Sequence, residues 1–163
     1  MKARIENSQR SVPRDGRLSN RTIRTFLAED LPLLMVLLAR IVSKDERVAI
    51  VGSATDGRKA LGNASTLAPD LVVTDLHMPG LDGAEFTRRM KQGPNPPVVF
   101  VVTSDEMPEA RARCMAAGAD AFLVKAANLA PQLLSAIQES FPDDFDENDA
   151  EPKHFCERFT RVE

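Results

Sequence analysis

The sequence predicts an α/β fold, a doubly wound parallel sheet of five strands with helices on both faces. Between residues 21 and 141, short apolar runs alternate five times with longer segments of helical periodicity. The apolar runs are continuous rather than alternating, which is typical of parallel strands that are buried on both faces. A chain of 163 residues has about the length of one domain and is long enough to bury one real core.

Each predicted strand is an apolar run bounded by polar or turn-forming residues. The first run, 21–28, contains Arg24, which is unusual in a central strand, so this strand is expected to begin later than residue 21. The third ends directly at Asp75, and the fourth is the sequence VVFVV. The five predicted strands cover 21–28, 47–51, 71–74, 98–102 and 121–124.

The predicted helices occupy the intervals between these strands. The first carries Leu34, Leu38 and Ile41 on one stripe, and Asp30 is expected to cap its start. The last directs Leu133, Leu134 and Ile137 inward. The five predicted helices cover 31–42, 56–64, 83–91, 108–117 and 128–140.

The two ends of the chain differ in charge from the middle. Seven basic and two acidic residues fall within 1–24, and eight acidic and three basic residues fall within 142–163. We expect residues 1–20 to form a basic, flexible leader, 21–141 the folded domain, and 142–163 an acidic tail. Within that tail, Phe155 and Phe159 are spaced to share one face of a short helix over 151–162.

Composition excludes several classes of protein. No apolar run approaches the roughly 20 residues of a membrane-spanning helix, and the first residues lack the apolar stretch of a secretory signal. Cys114 and Cys156 form neither a disulfide framework nor a metal-ligand cluster, so we expect reduced thiols and a cytoplasmic protein. The phosphate-binding glycine motifs of nucleotide sites are missing from the sequence.

Polar side chains follow the predicted strands at their carboxyl ends. These ends meet at one edge of a parallel sheet, where functional groups of open α/β folds gather. Carboxylates brought together there repel each other, and a hard divalent cation such as Mg²⁺ relieves the repulsion and then accepts phosphate oxygens. A carboxylate can also attack phosphorus, which makes this a candidate phosphate-accepting site. The residues concerned are Glu29, Asp30, Asp75, Thr103, Ser104 and Lys125.

Four motifs accompany these residues: the acidic pair Glu29-Asp30, LVVTDLHMPGLDG at 71–83, VVFVVTS at 98–104 and GADAFLVK at 118–125. Through them the chain resembles, over residues 21–141, the receiver domains of two-component response regulators. Asp30, Asp75, Thr103 and Lys125 follow one another at spacings of 45, 28 and 22 residues. The resemblance implies a flavodoxin-like (βα)5 sheet in the order 2-1-3-4-5.

The resemblance also implies a role for each site residue. Asp75 is the phosphoacceptor. Asp30 and Asp75 bind Mg²⁺ directly, together with the backbone carbonyl of His77, and Glu29 acts through a metal-bound water. Lys125 pairs with the phosphoryl group.

A conformational switch and a set of partners are implied as well. Thr103 bonds the phosphoryl group and moves inward, and Phe122 turns inward with it. This changes the face formed by the fourth and fifth helices and the fifth strand, to which a protein partner binds. The phosphodonor is a histidine kinase or a histidine phosphotransfer protein, and homodimer formation on phosphorylation is left open. The phosphoryl group is lost by slow self-hydrolysis, without further enzymatic activity.

The sequence departs from the family pattern at two positions. Glu29 replaces the commoner aspartate, a change that should preserve metal binding. Ala126 replaces the proline that usually follows the lysine in a cis peptide. We therefore expect a trans bond with a reshaped loop or a strained cis bond, which costs about 2.5–4 kcal/mol without proline. His77 and Asp105 flank the site, and His77 is expected to face solvent.

Four functions remain open at this stage. The leading one is a phosphoacceptor receiver without a DNA-binding or enzymatic output domain, since about 22 residues follow the last predicted helix. The second is a receiver-like interaction module that is never phosphorylated, favoured by Ala126. A phosphatase that uses Asp75 as nucleophile would need an acid–base carboxylate where His77 stands. Nucleic-acid binding by the leader is disfavoured, because its charges lack interleaved aromatic residues.

Overall fold

The computed structural model describes residues 21–142, so the predicted basic leader and acidic tail lie outside the described residues. The predicted alternation of five strands and five helices is confirmed over this range. In chain order the elements are β1 (Ile23–Ala28), α1 (Pro32–Val42), β2 (Val48–Ala54), α2 (Gly57–Leu67), β3 (Leu71–Thr74), α3 (Gly83–Lys91), β4 (Val98–Thr103), α4 (Pro108–Ala116), β5 (Ala121–Val124) and α5 (Leu129–Ser140).

The five strands form one parallel sheet in the order β2-β1-β3-β4-β5, as the family resemblance implies. Ala28 pairs with Thr74 at the carboxyl end of the two central strands, and Thr103 pairs with Val124 at the end of the next pair. Because all strands run in the same direction, the residue that follows each of them emerges at the same edge.

The sheet is covered on both faces, and each face has its own apolar core. On one face, α1 and α5 contribute Leu38, Ile41, Leu133 and Ile137, which are buried as predicted. On the other face, α2, α3 and α4 cover the sheet around Phe86. Burying both faces explains why the strands read as continuous apolar runs.

Several boundaries differ from the sequence prediction. β1 begins at Ile23, later than residue 21, but it still includes Arg24, whose guanidinium donates to the carbonyl of Ala68 at 2.9 Å. The prediction that β2 stops at residue 51 is wrong, because the strand continues to Ala54. A register shift opposite Thr25 and Phe26 lets the strand continue past Gly52 alongside β1.

The predicted N-cap of α1 is also wrong. Leu31 occupies the N-cap position, no side chain caps the helix, and Pro32 begins it. The Leu31 amide instead donates to Glu29 Oε1 at 3.2 Å. Proline suits this first position because its missing amide hydrogen would have no partner within the helix. Asp30 is therefore not used as a cap.

Two predictions about the rest of the chain can be compared with the structure. Within residues 21–142, no helix is long and apolar enough to cross a membrane. Cys114 is a buried free thiol, and burial raises its pKa to about 11. Cys156 lies outside the described residues.

Candidate functional site

Backbone hydrogen bonds at the ends of the strands bring the predicted site residues to the same carboxyl edge of the sheet. The Asp75 amide donates to the carbonyl of Ala28 at 2.8 Å, so Asp75 lies beside the end of β1, where Glu29 and Asp30 follow. The Lys125 amide donates in the same way to the carbonyl of Thr103 at 2.8 Å. The sheet itself therefore brings residues from distant parts of the chain together.

Three of these side chains form an acidic cluster. Carboxylate oxygens of Glu29, Asp30 and Asp75 all lie within 4.8 Å of one another. Glu29 is fully buried, Asp75 is almost fully buried, and Asp30 is half-buried. Burial raises the pKa of Glu29 above its usual value, although the hydrogen bond from Lys125 works in the opposite direction. The cluster combines negative charge with restricted access to water, which favours a bound cation.

Lys125 supplies positive charge to this cluster. Its Nζ lies 2.7 Å from Glu29 Oε2 and 3.0 Å from Asp75 Oδ2. Burial by itself would lower the pKa of Lys125, but the hydrogen bonds to Glu29 and Asp75 outweigh burial and hold it above its usual value. The ammonium group is therefore charged at neutral pH, in contact with the predicted phosphoacceptor.

The loop after Asp75 folds closely against the sheet. The Gly83 amide donates to the carbonyl of Leu76 at 2.7 Å, and a Cβ at Gly83 would lie 2.1 Å from the carbonyl oxygen of Asp75. Asp75 Oδ1 accepts from the amide of His77 at 3.3 Å. The start of α3 thus packs directly on the backbone of Asp75, which only glycine permits at that position.

Lys125 is followed by a trans peptide, since the described residues contain no cis bond. Of the two expectations for Ala126, the trans form is the one observed. The Ala126 amide donates to the carbonyl of Val124 at 2.8 Å, and the Ala126 carbonyl accepts from Leu129 at 3.0 Å. The loop between β5 and α5 is therefore held by its own backbone while Lys125 still reaches Glu29 and Asp75.

The two predicted switch residues are both buried. Thr103 is fully buried at the end of β4, and its Oγ1 accepts from the Asp105 amide at 3.2 Å. Phe122 is 7% exposed and packs in the cluster with Val101 and Cys114. The aromatic side chain that was expected to turn inward on activation thus already points inward.

Two contacts near the site were missed by the sequence analysis. His77 Nε2 lies 2.9 Å from Asp105 Oδ2, so these side chains bridge the loops after β3 and β4. The sequence did contain a hint of this contact, because His77 and Asp105 each stand two residues after a predicted site residue, Asp75 and Thr103. Hydrogen bonds from the Met107 amide and from His77 lower the pKa of Asp105. Arg111 lies over the ring of Phe122, 5.7 Å from its centroid, and nothing in the sequence indicated this pairing.

Comparison with known protein families supports the same interpretation. The family model described as the response regulator receiver domain matches residues 25–138. A protein-glutamate methylesterase/protein-glutamine glutaminase of Methanospirillum hungatei is 35% identical over 102 residues, which are 63% of this chain and 29% of that protein. The response regulator GacA of Pseudomonas viridiflava is 33% identical over 120 residues, which are 73% of this chain and 55% of GacA.

Solved structures show the same fold. The response regulator domain of CheB from Thermotoga maritima superposes with a TM-score of 0.67 at 28% identity, covering 74% of this chain and 96% of that domain. The receiver domain of a response regulator described as NarL, from Mycobacterium tuberculosis, gives 0.66 at 26% identity, covering 72% of this chain and 98% of that domain. The chain covers almost the whole of these isolated domains but about half or less of the full-length relatives.

Proposed function

Because the chain belongs to the family of response regulator receiver domains, we propose that it accepts a phosphoryl group on Asp75 from a histidine kinase or a histidine phosphotransfer protein. The observation that carries this proposal is the 3.0 Å contact between Asp75 Oδ2 and Lys125 Nζ inside a cluster of three carboxylates. A carboxylate held beside a fixed ammonium group and a cation-binding cluster is suited to attack a phosphoryl group.

The transfer exchanges one bond to phosphorus for another. A carboxylate oxygen of Asp75 attacks phosphorus, the P–N bond to the donor imidazole breaks, and the imidazole nitrogen keeps the electron pair. The product is an acyl phosphate on Asp75. Water later attacks its phosphorus, the bond between phosphorus and the Asp75 oxygen breaks, and inorganic phosphate leaves while the carboxylate is regenerated. Lys125, whose Nζ lies 3.0 Å from Asp75 Oδ2, would pair with the phosphoryl oxygens, and the Thr103 hydroxyl would donate to one of them.

The donor set of the cluster fits Mg²⁺, which prefers carboxylate and carbonyl oxygens. Asp30, Asp75 and the backbone carbonyl of His77 would hold the ion directly. Glu29 would act through a water, as the family resemblance implies, while its Oε1 accepts from the Leu31 amide and its Oε2 from Lys125. The chemistry that the ion would supply when bound is neutralisation of negative charge on the phosphoryl oxygens.

The signal would leave through the face formed by α4, β5 and α5, where a protein partner binds. A phosphoryl group adds a charge of about −1.5 to −2 near Thr103 and Lys125. The movement of Thr103 toward it would alter the packing around Phe122 and hence α4. The family relatives contain more chain than this sequence spans, so the absence of an output domain stays a prediction. The cytoplasmic location also stays a prediction, and homodimer formation on phosphorylation stays open.

The test is phosphorylation of the whole chain by a small-molecule phosphodonor with Mg²⁺, measured by intact mass. We expect the added mass of one phosphoryl group on the parent and none on Asp75→Asn. The matched control is Asp70→Asn, an aspartate at the opposite end of β3, which should be phosphorylated like the parent. Phosphorylation of Asp75→Asn, or phosphorylation of the parent without any divalent cation, would contradict the proposed site.

One observation favours the second candidate, an interaction module fixed in one state. Phe122 is 7% exposed and covered by Arg111, which is the inward position that such a module would keep. If the parent gains no mass although Mg²⁺ binds, this second function replaces the first. Capture of the same protein partner by the parent and by Asp75→Asn would then be expected.

A further inference from the structure

Helix α1 exposes an unusual amount of apolar surface. Leu33 is 80% exposed, Val36 55% and Leu37 44%, and their spacing places them on one face of the helix. The same face continues to Arg40, one turn further on. Large apolar side chains that cluster on an exposed helix mark a surface that is covered by something else.

A groove lies beside this exposed patch, and Leu37 belongs to both. It has a volume of about 590 Å³ and lies between α1 and the segment that joins β5 to α5, with Leu37, Ile41 and Leu129 in its lining. Arg40 and Lys44 lie at its other end, and neither makes an ion pair with any residue of 21–142. The residues that α1 contributes to the lining are thus apolar from Leu34 to Leu38, whereas Arg40 and Lys44 make it basic toward the end of the helix. The third cation of the lining, Lys125, is paired with Glu29 and Asp75.

The described chain ends beside the basic end of this groove. The carbonyl of Phe141 accepts a hydrogen bond from Arg47, in the loop that follows α1. Residues 143–151 then contain six acidic residues and no basic one, and Phe155 and Phe159 follow. Followed from its described end, the chain therefore presents acidic residues and then aromatic residues, in the same order as the basic end of α1 and its exposed apolar face.

The segment between the end of α5 and Phe155 is long enough to reach the exposed face of α1. Twelve residues, 143–154, separate Pro142 from Phe155, and an extended chain covers about 3.3–3.6 Å per residue, or about 40 Å. The eleven residues of α1 rise only about 16 Å. The aromatic pair can therefore reach Leu33 and Val36 with more than half of the length to spare.

We propose that residues 143–162 bind the α1 groove of the same molecule, with the acidic stretch against Arg40 and Lys44 and with Phe155 and Phe159 on the exposed leucines and valine. Opposite charges guide the segment, and burial of the two aromatic rings holds it. The loop that carries Lys125 forms one wall of the groove, so the bound segment lies beside the candidate phosphorylation site. The proposal does not depend on phosphorylation.

The native Cys156 provides a direct test, because it is adjacent to Phe155. In full-length Val36→Cys, mild oxidation with diamide should close a disulfide to Cys156 within one molecule. The matched control is Met107→Cys, which is similarly exposed at 60% but lies at the start of α4. Cys114 does not interfere, since it is buried and its thiol is poorly ionised.

Even without binding, a flexible tether holds Cys156 near the introduced cysteine at an effective concentration of about millimolar, so some disulfide forms in either variant. The ratio of the two closure rates therefore distinguishes binding from tethering. We expect Val36→Cys to close at least about tenfold faster than Met107→Cys, because binding raises the local concentration further. Adding Phe155→Asp and Phe159→Asp, or Arg40→Glu and Lys44→Glu, should remove this difference. Slower hydrogen exchange of α1 amides in the parent than in the Phe155→Asp, Phe159→Asp chain is the second readout.

Three results would overturn the proposal. Equal rates for the two cysteine variants would mean that the segment samples the surface without binding α1. Faster closure from Met107→Cys would place it on the α4 face. A disulfide that forms only between molecules, at a rate that rises with protein concentration, would mean that a second copy covers the groove.

Discussion

Lys125→Met removes the ammonium group that lies between two buried carboxylates. In the parent, Nζ contacts Glu29 Oε2 at 2.7 Å and Asp75 Oδ2 at 3.0 Å, and the side chains of Lys125, Glu29 and Asp75 are 11%, 0% and 8% exposed. Methionine is similar in length but can neither donate a hydrogen bond nor carry charge. The variant therefore leaves the negative charges of Glu29 and Asp75 next to each other without the positive charge of Lys125 between them.

Removing one partner of a buried ion pair costs about 3–5 kcal/mol. The loss should depend on pH, because Glu29 can bind a proton in place of the ammonium group. The pKa of Glu29 is raised in the folded chain, so its contribution to stability is present at low pH and is lost as pH rises toward the folded pKa. Without Lys125 that pKa rises further, so we expect a loss of about 3 kcal/mol or more near neutral pH and a smaller loss near the pKa of free glutamate.

The assay is urea unfolding followed by far-ultraviolet circular dichroism, since the chain contains neither Trp nor Tyr. Adding Mg²⁺ should recover more stability in Lys125→Met than in the parent, because the freed carboxylates bind the ion more tightly. The matched control is Lys91→Met, which breaks the 2.6 Å contact between Lys91 and Asp120 away from the cluster. Its loss of stability should not respond to Mg²⁺.

Two results would contradict this account: a loss of stability in Lys125→Met that is the same at neutral pH and near the pKa of free glutamate, or an equal gain of stability from Mg²⁺ in Lys125→Met and in Lys91→Met. Either result would mean that repulsion between Glu29 and Asp75 does not dominate the energetics of the site. A stability equal to that of the parent under all conditions would show that the lysine contacts are energetically neutral.

Two further predictions concern the loop after Asp75 and helix α3. Gly83→Ala places a Cβ 2.1 Å from the Asp75 carbonyl oxygen, so it should lower the free energy of unfolding, measured in urea, by about 1–3 kcal/mol. The control Gly62→Ala, in helix α2 with nothing within 4 Å, should raise it by about 0.5–1 kcal/mol. Equal effects of the two variants would contradict the close packing of Gly83 on Asp75. Hydrogen bonds led by that from Arg88 lower the pKa of Glu85 from 4.5 to about 2, so Arg88→Ala should raise it in a carboxyl NMR titration. The stabilisation from this ion pair is present above the unfolded pKa and lost as pH falls; an unchanged titration would contradict the pairing.

The placement of the candidate site residues at one edge of the sheet could be predicted from sequence, because that placement follows from the topology. Asp75 and Lys125 each stand directly after a predicted strand, and parallel strands bring such residues to one edge whatever the details of side-chain packing. The prediction that Asp30 caps α1 was wrong, because a cap depends on local geometry and not on topology. Cap formation depends on a local competition, and Leu31 with Pro32 provides a start for α1 that leaves Asp30 free to join the acidic cluster.

Strand length was less predictable than strand position. The apolar run that predicted β2 stops at Val51, but pairing with β1 carries the strand on through Gly52 and Ser53 to Ala54. Hydrogen bonds to a neighbouring strand stabilise residues with little preference for extended structure. Arg24 is the reverse case, since a charged residue is accepted in β1 because its side chain reaches a backbone carbonyl near the surface.

The sequence by itself determined the fold class, the strand order through its family resemblance, and the set of residues at the carboxyl edge, because apolar periodicity and linear order are local properties of the chain. Only the tertiary structure decided which side chains meet. The His77–Asp105 bridge, the burial of Phe122 under Arg111 and the exposed groove on α1 each join segments that are separate in sequence. Such contacts depend on how helices and loops pack on the sheet, and hydrophobic pattern does not specify that packing residue by residue.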